Sequence, residues 1–141
     1  MSFNFNFVME ALVEVGGVQE IGEIPFGLRR IIPITGGTFE GPQIKGIILP
    51  GGADWQIVRP DGIREIEARY TLETDCGSKI YVVNKGLING QSNNPKTFYF
   101  KATPRFEVSG EKYAWLTRSI FLATVEPRQP NSVYIKFYQV I

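Results

Sequence analysis

Asp54, Trp55 and Gln56 follow a double glycine, Gly51-Gly52, and lead into a β-rich run. A carboxylate beside an indole ring, set on a flexible corner, is a pairing that could hold a small molecule and move a proton on it. The chain has no histidine and one cysteine, Cys76. Ser-His-Asp and Cys-His nucleophiles are therefore excluded in their usual form, as are His-based and Cys-rich zinc sites. Chemistry here has to come from carboxylates, tyrosine, lysine or arginine. No metal and no cofactor is expected.

Other candidates are weaker. Gly36 to Gly41 (GGTFEG) has the glycine spacing of a phosphate loop, but Pro42 and Gln43 stand where that motif needs Lys and Ser/Thr. Pro42 also lacks the N–H such a loop would offer. The segment reads as a glycine-dependent corner between strands. Phe98-Tyr99-Phe100-Lys101 could stack bases, but 15 basic and 14 acidic residues give a net charge of only +1. Alternation there gives an ordinary strand with two faces. Cys76 sits in a polar turn near Lys79, with no evident general base, and reads as structural or incidental.

Such residues need elements to position them. The 141 residues, 43% hydrophobic and 13% aromatic, fit one domain over 1–141 with a core large enough to need no disulfide or metal. Phe3, Phe5, Phe7, Met9, Ala11, Val13 and Val15 recur at every second position, the period of a half-buried strand. Val18 to Ile24 and Leu28 to Ile34 read as further strands, the latter stopped by Gly36-Gly37. Asp54 to Arg59 and Ile63 to Thr74 flank the Pro60-Asp61-Gly62 turn. Lys79 to Gly86, Thr97 to Thr103 and Tyr134 to Ile141 complete the series. Asn89 to Lys96 is a polar loop, and Lys112 to Thr124 could hide one helical turn. Short strands at this spacing predict an all-β, mostly up-and-down closed barrel, whose closure hides the edges of the long terminal strands.

Alternation places Asp54, Gln56 and Val58 on one face, and Trp55, Ile57 and Arg59 on the other. On the returning strand Glu65, Glu67, Arg69 and Thr71 share a face opposite Arg64, Ile66, Ala68, Tyr70 and Leu72. The Glu67/Arg69 row is either a solvated outer face or a polar lumen in which Asp54, Glu67 and Arg69 pair. One slip in register would exchange Trp55 and Tyr70 for Asp54 and Arg69 as lining residues.

Several motifs together carry a resemblance. They are Gly27-x-Arg29, the Gly36-Gly37-x-Phe39-x-Gly41 corner, Gly51 to Trp55 (GGADW), Asp61-Gly62, Ala68-Arg69-Tyr70 and Trp115-Leu116. Over nearly its whole length the chain resembles the domain of unknown function 3237 family, also called uncharacterised protein family 0311. The resemblance implies a small antiparallel barrel, lipocalin-like in general shape, that forms homo-oligomers. It implies no activity. Relatives usually carry an acid where this chain has Cys76.

Two functions fit. In the first, the barrel binds a small apolar or aromatic molecule in its interior or at its mouth. Trp55, Glu67, Tyr70 and Tyr99 would contact it. Asp54 would be the acid/base, and Arg29 or Arg69 would hold an anion or oxyanion, as in a cofactor-independent dehydratase, isomerase or cyclase. In the second, the barrel is filled and the protein is a structural or interaction partner, with a homodimer favoured. The charge balance predicts no nucleic-acid or membrane-surface partner. No run approaches the ~20 apolar residues of a membrane helix, and the N-terminal segment lacks the pattern of a signal peptide, so a cytoplasmic location is expected.

Overall fold

The computed structural model describes residues 1–141 and contains ten strands and one helical turn. The strands are β1 (Phe5–Val15), β2 (Gln19–Ile24), β3 (Gly27–Glu40), β4 (Lys45–Ile48), β5 (Gly52–Val58), β6 (Arg64–Thr74), β7 (Lys79–Asn89), β8 (Tyr99–Glu107), β9 (Phe121–Arg128) and β10 (Ser132–Val140). A single 3-10 turn spans Ala114–Thr117, inside the segment where the sequence admits one. No helix is long and apolar enough to cross a membrane.

All pairings are antiparallel. The wall runs β1-β10-β9-β8-β7-β6-β4-β3, and β1 pairs back onto β3 to close it. Strands β4 and β5 share the place between β3 and β6, interrupted at Leu49–Gly51. Strands β1 and β2 likewise follow one another along β3. The result is a closed barrel, as the turn spacing predicts; it has eight wall positions.

Two elements depart from the sequence expectation. Strand β3 does not stop at Gly36-Gly37 but runs through both glycines to Glu40. Closure requires this. A Cβ on Gly37 would lie 2.1 Å from the Leu12 carbonyl oxygen, and its φ of +140° suits glycine alone. The whole of β9 was also absent from the expected series. Its exposed Leu122, between buried Phe121 and Ala123, blurs the two-residue period that would have marked it.

The terminal strand explains a third difference. The period of two from Phe3 to Val15 suggests that every odd residue is buried. Instead Phe3, Phe5 and Phe7 are exposed, while Val8 and Met9 are both buried. A β-bulge between Phe7 and Met9 adds one residue against β10 and exchanges the two faces. Phe7 then pairs with Tyr138, and Met9 with the fully buried Phe137.

One cluster of 25 buried residues, drawn from β1, β3, β4 and β6 to β10 plus Ile44, Tyr113 and Leu116, fills the barrel. Phe106 stacks edge-on against Phe121 at 5.1 Å and leans on Phe137 at 5.9 Å. Such ring pairs add to the area they bury.

Candidate functional site

Strand β5 decides which side each candidate faces. Antiparallel register pairs Asp54 with Ala68 on β6 and with Ile32 on β3. Directly paired residues share a face. Asp54 and Gln56 therefore face the core, together with Ile66, Ala68 and Tyr70. Trp55 and Ile57 face the opposite way, with Glu65, Glu67 and Arg69.

Of the two readings of the Glu67/Arg69 row, the outer face holds and the polar lumen does not. Asp54 does not pair with Arg69 or Glu67 side chains, because those lie across the wall from it. Arg69 instead donates to Glu67 through Nε at 3.0 Å and Nη2 at 2.8 Å, and Lys85 Nζ lies 3.6 Å from the other Glu67 oxygen. These side chains are roughly 40% exposed for Arg69 and Glu67 (41% and 37%) and more for Lys85. The Arg69 hydrogen bond, assisted by Lys85, holds the Glu67 carboxyl below its ordinary range.

The open face carries a broad cavity of about 1000 Å³, the upper end of the usual range for small-molecule sites. It brings together four of the residues chosen from sequence: Arg29, Trp55, Glu67 and Tyr99. Phe5, Ile57, Leu87, Leu122 and Tyr138 supply apolar surface, and Glu65, Lys85 and Lys101 supply charge. Arg69 stands beside Glu67 outside this lining, bonded also to the Tyr81 hydroxyl at 3.4 Å. Alternation on β7 and β8 could have marked Lys85 and Lys101. Leu122 and Phe5 could not be read, since β9 and the β1 bulge were not legible.

Asp54 and Tyr70 occupy the core side. Asp54 Oδ2 accepts the Gln56 Nε2 amide at 2.7 Å, and Arg30 Nη2 donates to Gln56 Oε1 at 2.6 Å. Burial pushes the Asp54 carboxyl above its ordinary range, against the pull of Gln56, the Glu67 N–H and Arg30. Burial likewise raises the Tyr70 hydroxyl, with the Asp54 charge adding to it. The arginine that reaches Asp54's network is Arg30, not Arg29. The two are adjacent, and only pairing with β5 shows that Arg30 lies opposite Gln56. No group of three or more His, Cys, Asp or Glu side chains comes together in a way that could hold a metal ion.

Comparison with known proteins fits this architecture. Residues 3–140 match the family model described as protein of unknown function (DUF3237). The chain belongs to this family. A family 0311 protein of Rhodopseudomonas palustris is 40% identical over 146 residues, covering 96% of this chain and 95% of that protein. The crystal structure of a Rhodopseudomonas palustris protein of unknown function superposes with a TM-score of 0.93 at 38% identity, over 100% of this chain and 99% of that one. A β-barrel-like protein of Acinetobacter baumannii gives 0.91 at 37% identity, over 100% and 98%. More distantly, a hydroalkoxylation enzyme of Penicillium herquei is 23% identical over 138 residues, 97% of this chain and 83% of that protein. A crystal structure of an enzyme from the same fungus shares the fold, with a TM-score of 0.79 at 22% identity over 100% and 96%.

Proposed function

We propose that this DUF3237 protein binds a small, largely apolar or aromatic molecule in the open-face cavity and acts on it by acid/base chemistry without a cofactor. The observation that carries the reading is the cavity's composition. Trp55, Leu87, Tyr99 and Leu122 surround a carboxylate, Glu67, that is already fixed by a guanidinium and an ammonium. Apolar walls with a few placed polar groups are what a small-molecule site needs.

Here Glu67, rather than Asp54 of the Gly51-Gly52 corner, takes the acid/base role. Glu67 is held ionised and so is free to accept a proton, although its cationic neighbours weaken it as a base. Lys85 beside it is a proton donor, and Arg29 and Lys101 hold developing negative charge. Asp54 works from behind as a positioning residue, because its Oδ1 accepts the backbone N–H of Glu67 at 3.0 Å.

The distant fungal relative supports the class. Adding an O–H across a C=C bond is redox-neutral. Here Glu67 would take the hydroxyl proton while the C–O bond forms, and the carbon would take a proton from Lys85. Return of the proton from Glu67 to Lys85 resets the site. Dehydration and isomerisation use the same two transfers.

Native mass spectrometry of the purified protein tests the binding step. A non-covalent adduct of small-molecule mass is expected, and it should vanish in the double variant Leu87→Glu/Leu122→Glu. An adduct that survives this change would place the ligand elsewhere.

A second reading has its own observation. Phe5, Phe7, Trp55, Leu87, Tyr99 and Leu122 are all exposed on the open face. A contiguous apolar patch of this kind is the usual mark of an interface. A second copy of the chain could cover it as a homodimer, closing the cavity rather than replacing it. Light scattering at micromolar concentration distinguishes dimer from monomer, and Leu122→Glu should dissociate the dimer.

A further inference from the structure

The charges on the open face do not balance. Two carboxylates line the cavity, Glu65 and Glu67. Each is already answered by a guanidinium outside the lining: Glu65 lies 3.4 Å from Arg59 Nη1, and Glu67 lies 2.8 Å from Arg69 Nη2. Three cations line the same cavity, Arg29, Lys85 and Lys101. Lys85 shares Glu67 at 3.6 Å. Arg29 and Lys101 have no carboxylate within ion-pair distance. Positive charge is therefore in surplus between apolar walls, on a chain whose net charge is only +1.

Of the two unpaired cations, Arg29 is the better anchor. It is half-buried, whereas Lys101 is exposed, with its ammonium 5.8 Å from the centre of the Tyr99 ring. Partial burial spares a charge from screening by salt. Arg29 also makes no side-chain hydrogen bond, unlike Arg30, Arg59, Arg64, Arg69, Arg118 and Arg128. Its N–H donors are free. A planar guanidinium presents parallel N–H groups that match the paired oxygens of a carboxylate, whereas an ammonium is a point charge.

Register fixes where this anchor stands relative to Glu67. Arg29 pairs with Ile57 on β5, and Ile57 pairs with Glu65 on β6. The same β5–β6 register sets Trp55 opposite Glu67. Strand β5 thus runs between the arginine and the carboxylate, and its Trp55 and Ile57 line the cavity between them. Two strand spacings across and two residues along separate the Arg29 and Glu67 backbones by roughly 12 Å. A fused aromatic ring system with a carboxylate at one end covers the part of that gap the two side chains do not reach. Its ring face and the exposed indole of Trp55 suit an offset stack.

We infer that the ligand of the open-face cavity is an aromatic carboxylate, with its carboxylate on Arg29, its rings over Trp55 and Ile57, and its reacting position at Glu67 and Lys85. The inference rests on the reading of this cavity as the site, and it refines one part of that reading. Arg29 meets a charge that the substrate brings, which leaves Lys101 to the charge that develops. A neutral aromatic of the same shape leaves the guanidinium without a counter-ion, so the site discriminates between the two.

Calorimetric titration of the full chain with 2-naphthoate and with 2-naphthylmethanol, which has the same rings and no charge, tests this. The carboxylate should bind about tenfold tighter or better. Arg29→Met should remove that preference by weakening 2-naphthoate while it leaves 2-naphthylmethanol within about twofold. This variant deletes a group with no partner in the fold, so the barrel is kept. Leu87→Glu/Leu122→Glu should abolish binding of both compounds. Where the double variant does so, three results would overturn the inference alone: equal affinities in the wild type, a preference that survives Arg29→Met, or equal weakening of both compounds by it. No binding of either compound, or binding that the double variant leaves intact, would overturn the cavity reading and the inference with it.

Discussion

Asp54 Oδ1 accepts the backbone N–H of Glu67 at 3.0 Å, across the β5–β6 step of the wall. The side chain of Asp54 lies among core residues, whereas that of Glu67 projects to the open face. One carboxylate therefore fixes the backbone that presents the other. This coupling gives the two residues different expected mutant phenotypes.

Glu67→Gln keeps the shape and removes the base. With a substrate in hand, kcat should fall by about 10²–10⁴ while ligand affinity changes only a few-fold. Asp54→Asn should lower kcat by much less, because it disturbs only the support of Glu67. A loss in Asp54→Asn much larger than that in Glu67→Gln would make Asp54, not Glu67, the proton-transferring group.

Asp54→Asn has a separate signature in stability. The carboxyl accepts from both Gln56 and Glu67 N–H, and an amide offers one oxygen for two donors. The loss should be about 1–3 kcal/mol, measured by urea denaturation. Burial raises the Asp54 carboxyl above 3.8 in the folded chain. The folded state then holds this proton more tightly than the unfolded one. Its contribution is complete below the unfolded value and fades as pH rises through the raised one. The gap between wild type and variant should therefore narrow toward pH 7. A gap that widens would mean that Arg30 outweighs desolvation.

Cys76 should react faster than an ordinary thiol. Its Sγ lies 3.3 Å from the Thr74 hydroxyl, 3.7 Å from Tyr113 Oη, 3.3 Å from Lys112 Nζ and 3.8 Å from Ser78 Oγ. Thr74 first, then Tyr113, Lys112 and Ser78, hold the thiol down at about 6. Iodoacetamide alkylation should show its half-maximal rate near that pH, and Lys112→Met should move the midpoint upward. The sequence suggested Lys79 as the neighbouring cation. The fold brings Lys112 instead, from the segment before the 3-10 turn, so a Lys79→Met control should leave the profile in place.

Gly37→Ala should destabilise by about 3 kcal/mol or more, since its Cβ would meet the Leu12 carbonyl at 2.1 Å on an unfavourable φ. Gly51→Ala meets nothing within 4 Å and bears only the φ penalty, so its loss should be the smaller of the two. Thermal denaturation of the pair reads this difference directly. Equal losses would mean that β1 can move off β3 without cost.

Local chemistry made much of the scaffold legible. The Asp61-Gly62 turn, the alternation on β6 and the β-rich blocks of β7 and β10 each specify their own backbone. The assignments that failed were the ones that local pattern does not carry. The bulge between Phe7 and Met9 leaves the odd-numbered apolar series intact in the sequence while it reverses the faces in space. Strand β9 hides because exposed Leu122 and buried Phe121 and Ala123 blur its period.

By itself the sequence determined that this is an all-β chain without histidine, that Asp54 and Trp55 point in opposite directions, and that Tyr70 and Arg69 do the same. Alternation follows from the two-residue repeat of a strand and needs no partner. Which direction meets the core was decided only by tertiary structure, because pairing Asp54 with Ala68 rather than with a neighbour one residue away is set by the closure of the whole wall. That pairing sent Asp54 and Tyr70 inward with Arg30, and gathered Arg29, Trp55, Glu67 and Tyr99 around the cavity outside.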